Sequence, residues 1–397
     1  MAERNAAGGY AAIGKQTNAT TPVTPTNYVP YYKQSIFTDV HLISDEPVYG
    51  NKFRRFQALQ GLRSHKGSID VMAEPNTAAY WHDMFTTKSS TTGSNPYTHA
   101  FGASGTTDPN YYTLDISFVS QVVRFFGVQA SKLQYNWNGE EMILSLDVSG
   151  LGSFYGREIA TVATTTLTLK TDYDAAPNTG LVVGDLVKIT KTDGSVTLNT
   201  TIASVNADGI TVTLGASAAS FSAGDMIVLR PATPSLALLT PFLWGKTQFF
   251  FAADAATAMT NSATASNQTR LEPGSQIDLM HDFDNIEGSK RSGGFDPASL
   301  VRKQYDLAFK LKKFFDTPDE LKFWNAITKR ACVVRAYSGA TNQYELRVTI
   351  NNMKTKTENT PTQSGAVIYQ EMDYYPTYDS TDGQGFDVKV INAVATV

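Results

Sequence analysis

The sequence predicts a mainly β protein: two tandem β-sandwich domains, each with one flanking α-helix, plus an inserted small all-β domain. Three observations carry this reading. Apolar and polar residues alternate with period two through most of the chain, the pattern of half-buried strands. Helical periodicity is confined to two segments, 75–87 and 318–330. Both run from a proline to an aromatic followed by Trp, and Pro75 to Pro318 and Trp81 to Trp324 are each 243 residues apart. Between them, residues 157–231 have almost no aromatics and alternate Thr with Val and Leu, which marks a separate unit.

At 397 residues the chain has room for two or three domains at about 100–200 residues each. The boundaries read as a flexible N-terminal arm at 1–28, a first sandwich at 29–156, the insert at 157–232 and a second sandwich at 233–397. The arm is rich in Ala, Gly, Asn, Thr and Pro and holds no apolar signal-peptide core. In the first sandwich, strands are expected at 67–73, 112–118, 121–137 and 142–151. Its helix opens on Pro75, a residue suited to the first helical position, and turns Tyr80, Trp81, Met84 and Phe85 to one face. The insert offers strands at 161–169, 185–190, 196–205 and 210–214. Within it Val183-Gly184-Asp185-Leu186-Val187 recurs as Ala223-Gly224-Asp225-Met226-Ile227, two Gly-Asp turns that each open a strand. A Pro-rich linker, Arg230 to Pro234, leads out.

The second sandwich repeats the order. A strand at 303–315 precedes a helix with Thr317 as N-cap, Pro318 at the first position, and Asp319 and Glu320 at the positive end of the dipole. Strands follow at 331–337, 344–353, 366–374 and 385–391. By the repeat, Trp81 and Trp324 form the core of the two helices. A divergent internal duplication accounts for the shared pattern.

Composition excludes several functions. Thirty-three Lys and Arg against 37 Asp and Glu give a net charge of −4, which lacks the basic excess used to hold nucleic-acid phosphates. The single cysteine, Cys332, sits in an apolar run and precludes an intrachain disulfide. No apolar run reaches the ~20 residues of a membrane span, so a soluble protein assembled in the cytoplasm, without a membrane partner, is expected. The five histidines have no zinc-motif spacing, and no nucleophile elbow, phosphate loop or dinucleotide fingerprint occurs. His82, beside Trp81, reads better as a residue of an amphipathic helix than as a base. The expectation is a protein with no catalytic residues, no cofactor and no metal, and not an enzyme.

Two charged hairpins remain. The acidic Asp282, Asp284 and Glu287 are followed by Lys290 and Arg291. In the first repeat Asp45 and Glu46 are followed by Lys52, Arg54 and Arg55. An acidic-to-basic hairpin is self-complementary, so these ten residues are candidates for contact between copies.

The order of arm, hairpin, strand and helix, then long strands through Phe125-Phe126-Gly127-Val128 to Asp147-Val148-Ser149-Gly150-Leu151-Gly152, resembles the major tail protein, or tail tube protein, of long non-contractile-tailed bacteriophages. The resemblance covers 29–155 and 234–397 and leaves out 157–231. It implies two tube domains, each of two packed antiparallel sheets with a helix and a hairpin reaching a neighbouring ring. Six such domains would close a β-barrel ring: a trimer with pseudo-sixfold symmetry if both repeats are tube domains, a hexamer if only one is. Stacked rings would conduct DNA without specific binding, and the insert would resemble an outer decoration domain. The implied partners are further copies of the chain, a tape measure protein in the lumen, a tail terminator and a distal tail protein, in the virion tail. An alternative is a carbohydrate- or receptor-binding protein of the virion, an adhesin or tail-tip component with aromatic platforms and the insert as reader. A hydrolase stands lowest, since nothing fixes two carboxylates at a catalytic separation.

Overall fold

The computed structural model describes residues 9–44, 58–86, 88–102, 109–118, 120–137, 140–171, 180–235, 239–264, 267–269, 271–284, 296–297, 299–314, 319–359 and 369–397. The chain is mainly β. Its first part holds β1 (Ala11–Lys15), β2 (Asn27–Val29), β3 (Tyr31–Gln34), β4 (Phe37–Ser44), β5 (Ala58–Met72), α1 (Pro75–Phe85), β6 (Lys88–Thr92), β7 (Tyr97–Gly102), β8 (Tyr112–Phe118), β9 (Gln121–Asn136), β10 (Ile143–Gly150) and β11 (Gly152–Phe154). The insert supplies β12 (Arg157–Ala163), β13 (Thr166–Leu169), β14 (Leu186–Thr190), β15 (Thr197–Val205), β16 (Thr211–Leu214) and β17 (Met226–Leu229). The last part holds β18 (Thr247–Ala252), α2 (Ala255–Asn261), β19 (Gln276–Asp284), β20 (Val301–Phe314), α3 (Asp319–Ala326), β21 (Arg330–Ser338), β22 (Tyr344–Asn359), β23 (Tyr369–Pro376) and β24 (Phe386–Asn392).

The main sheet is antiparallel and runs β4–β5–β10–β9–β19–β20–β23–β22. It is two four-stranded units in line, β4–β5–β10–β9 and β19–β20–β23–β22, joined where Leu133 of β9 faces Leu279 of β19. The two units match in detail. Each opening hairpin carries a β-bulge, between Val40 and Leu42 in β4 and between His281 and Phe283 in β19. Each closing pair carries another, between Asp147 and Val148 and between Thr355 and Thr357. In register, Ile69 opposite Leu146 corresponds to Leu311 opposite Met372. A bulge inserts a residue at a fixed place, so four bulges in matching places carry the duplication further than the diverged side chains do.

A second layer repeats the order as well. β1 pairs β8, β8 pairs the first half of β9, and β11 pairs the same half; β18 pairs β21, β21 pairs the first half of β22, and β24 pairs that half. The 16-residue strands β9 and β22 thus cross from one layer to the other. In β9 the bend falls at Gly127, whose φ is +62°, where an added Cβ would lie 2.7 Å from the Ala19 carbonyl oxygen and 2.8 Å from Leu151. The apolar faces of both layers, with α1, form one core from Ile69, Leu133 and Leu146 through Leu279, Phe309 and Met372 to Val390. The sandwiches are therefore fused rather than separate, and β24 also pairs β7.

The insert closes on itself. β12, β13, β16, β15, β14 and β17 pair in that cyclic order, because β17 pairs both β14 and β12. Its own core, with Ile159, Val187, Ile202 and Ile227, also takes Val122 and Phe154 from the neighbouring layer. The two Gly-Asp turns are equivalent: Gly184 and Gly224 have φ of +90° and +94°, and Asp185 and Asp225 accept from the backbone N–H three residues earlier, Val182 and Ser222.

Four expectations are corrected. Residues 11–15 are not part of a flexible arm, since Ala11 and Ile13 are fully buried in β1 between β2 and β8; the five residues Ala-Ala-Ile-Gly-Lys give little alternation to read. α2 was not expected, although Asp254 caps it by accepting from Thr257 N–H at 2.7 Å. α3 ends at Ala326, well short of residue 330, because Ile327 has φ +49°. The strand before the second hairpin runs on through Asp282 and Asp284, which belong to β19 rather than to a loop.

Candidate assembly interface

Alternation along the main sheet sends one set of side chains into the core and the other to an open polar face. On β9 and β10 this face carries Lys132, Gln134, Ser145 and Asp147; on β5, β19 and β20 it carries Asp70, Gln276, Asp278, Asp306 and Lys310. The Gln134 amide donates to Asp278 at 2.7 Å across the β9–β19 junction, and the Gln276 amide reaches both Asp278 oxygens at 2.8 Å. The Asp147 carboxyl is raised above its ordinary range, chiefly by burial; Lys132 opposes this and Asp70 and Asp278 add to it. The charged groups named here are four Asp and two Lys, so the face carries no extended positive field that would hold a polyanion.

The main sheet ends in two edges. Among the described residues, β4 pairs only with β5, and the last residues of β22, 354–359, pair only with β23. An unpaired edge exposes N–H and C=O groups and is a template for another strand. On the β4 edge Phe37 and Val40 are 47% and 39% exposed.

The helices differ where the repeat made them alike. Glu74 caps α1, accepting from Thr77 N–H at 3.0 Å, and a second oxygen accepts from Leu239 N–H at 3.0 Å; burial raises its carboxyl pKa. Trp81 and Met84 are fully buried, and Phe85 packs against His281, Tyr305 and Phe386 with ring centroids 5.1, 5.7 and 6.5 Å away. All three partners belong to the last part of the chain. Among the described residues the second half has no such cover: Trp324 of α3 is 41% exposed and Ile327, just past its end, 65%. Trp324 is thus no core residue of the folded chain: α1 packs on β9, β24, β22 and β7, whereas among the described residues α3 packs mainly on β22.

Of the hairpin candidates, Asp282 is exposed at the β19 bulge and Asp284 pairs through its backbone with Val301. Asp45, Glu46, Lys52, Arg54, Arg55, Glu287, Lys290 and Arg291 lie outside the described residues. Both hairpins leave the same place in their four-stranded units. His82 is buried in α1, with Nδ1 2.6 Å from the Ala78 carbonyl and Nε2 2.6 Å from the Tyr135 hydroxyl. Burial lowers its pKa to about 4, so it is a neutral core histidine.

No family model matches the chain, and no curated protein matches it. One solved structure, titled "Crystal structure of Hcp protein", aligns at 8% identity over 33% of this chain and 88% of that chain, with a TM-score of 0.21. A likeness of that score decides neither fold nor role. The features that bear on role are those of the chain itself among the described residues: an in-line pair of four-stranded units, outer edges on β4 and the end of β22 with no second partner there, a mixed-charge polar face and the exposed Trp324 of α3.

The barrel joins this framework at a buried ionic contact that the sequence did not reveal. Arg124 of β9 holds Asp115 of β8 through Nε and Nη2 at 2.7 and 2.8 Å, and Asp185 of the insert through Nη1 and Nη2 at 2.6 and 2.9 Å. Burial alone would lower the guanidinium pKa; the two carboxylates overcome it and raise it. The signal available was an arginine in an otherwise apolar run, Val122-Val123-Arg124-Phe125-Phe126.

Proposed function

We propose that this chain is a tube-forming structural subunit of the phage tail-tube type, self-assembling into stacked rings that form a DNA conduit, with no catalysis. The carrying observation is the main sheet, in which two matching four-stranded units are joined edge to edge and whose outer edges have no second partner strand among the described residues. Three copies supply six such units, the trimer with pseudo-sixfold symmetry that the resemblance implies. Closing the sheet on itself pairs edges that have no second strand among the described residues, which is a general route to stable β assemblies. The mixed-charge face suits a wall along which DNA slides without binding. The barrel, attached to the second layer, suits an outer decoration.

Negative-stain electron microscopy with mass measurement on the purified protein tests this. Rings or stacked tubes built from trimers are expected. A chain that stays monomeric at high concentration, with no ring in any field, overturns the proposal.

A further inference from the structure

We propose that the β9–β19 junction inside the chain is repeated between chains, with the end of β22 of one copy pairing antiparallel to β4 of the next, and that the same step covers α3. This rests on the ring-forming reading above and adds the partner strands, their register and the side chains that seal the contact.

The register follows from the internal repeat. The bulges align Val40 with His281, and so Asp39 with Met280. Leu133 faces Leu146 as Glu358 faces Met372, which aligns Lys132 with Thr357. Within the chain Lys132 faces Met280. Between chains, Thr357 therefore faces Asp39 and Asn359 faces Phe37. Both members of each pair lie on edges that have no second strand among the described residues.

The helices agree with this register. In the first half, His281 packs on Phe85 at the end of α1, and Trp81 and Met84 are fully buried where α1 packs on β9, β24, β22 and β7. Moving one repeat onward places Val40 of the next copy at the end of α3, over Trp324 and Ile327. All three are apolar and substantially exposed in the single chain. Ile327 also holds φ +49°, a conformation that a β-branched residue adopts at a cost, where glycine would relieve it. An exposed isoleucine in that conformation has no stabilising role in the lone chain, whereas at an interface its side chain has one.

The test uses the full-length double variant Asp39→Cys/Thr357→Cys, mildly oxidised after assembly, with Lys132→Cys/Met280→Cys as the intrachain control. The native Cys332 is fully buried and stays out of the reaction. Covalent dimers and trimers on a non-reducing gel are expected from the first variant, and cross-linked monomer from the control. Rings in the microscope without intermolecular cross-links, while the control forms its bond, would overturn the strand pairing and leave the ring reading intact. Equal cross-linking by either single-cysteine variant would overturn it too. Wild-type protein that forms no rings at all would instead refute the reading on which the inference rests. Trp324→Ala and Ile327→Gly are expected to keep a folded monomer by circular dichroism yet raise the concentration needed for assembly at least tenfold; unchanged assembly in both would remove α3 from the interface.

Discussion

Arg124 is 1% exposed and carries two carboxylates, so its loss would strand Asp115 and Asp185 in the interior. Breaking a buried ion pair from one side costs on the order of 3–5 kcal/mol, and Arg124→Met is expected to lose that much in denaturant unfolding. Adding Asp115→Leu should restore part of it; a double variant as unstable as the single one would show that geometry, not stranded charge, sets the cost. His82 predicts a pH effect of definite sign. Its pKa is about 4 in the fold against 6.5 for the free side chain, with burial as the main cause. As pH falls below 6.5 the unfolded chain takes up the proton first, so stability declines, by about 2 kcal/mol between pH 7 and 5 for such a histidine. His281, also lowered to about 4 by burial and then by Arg302, acts in the same direction. The decline should shrink in His82→Gln, as read from denaturation midpoints at the two pH values. An unchanged decline would exclude His82 as its source.

At the scale of elements, the halves differ where β3 gives way to β4 along one edge of β5. Between β3 and β4 the backbone passes over β5 at Gly67, where an added Cβ would lie 2.4 Å from the Ser35 carbonyl oxygen and 2.5 Å from Ile36 Cα. Both are backbone atoms that cannot swing aside. Gly67→Ala is expected to destabilise by on the order of 1–3 kcal/mol, measured by thermal or denaturant unfolding. The matching position in the second half is Phe309, which is buried in the core. α1 depends on Glu74 for its cap and for a tie to Leu239, so Glu74→Ala should cost about 1–2 kcal/mol by the same measurement. A negligible change would mean that water replaces both bonds.

For the whole molecule, one core spans both halves, and the barrel is an appendage with its own core. Excising residues 158–228 in an Arg124→Met/Asp115→Leu background, which removes the charges that the barrel otherwise neutralises, should leave a subunit that still assembles. Electron micrographs should then show rings of smaller outer diameter and unchanged lumen. Loss of rings from a folded deletion variant would place the barrel in the assembly contact.

The sequence by itself determined the mainly β class, the duplication and most strands, with β8 expected at its observed residues 112–118. Alternation and the helix-opening prolines are local signals, set by which side chains a strand or a first helical turn can accept. It left open the tertiary outcome. The closure of β12 on β17 joins positions about 70 residues apart, and the junction of β9 with β19 joins the two halves; no local pattern specifies either. The contrast between Trp81 and Trp324 is the clearest case. Both stand at the same place in the same helical pattern, so propensity and periodicity treat them alike. Burial is decided by what the rest of the chain lays over each helix: residues of the second half pack on the end of α1, and among the described residues none covers Trp324 of α3 in the same way.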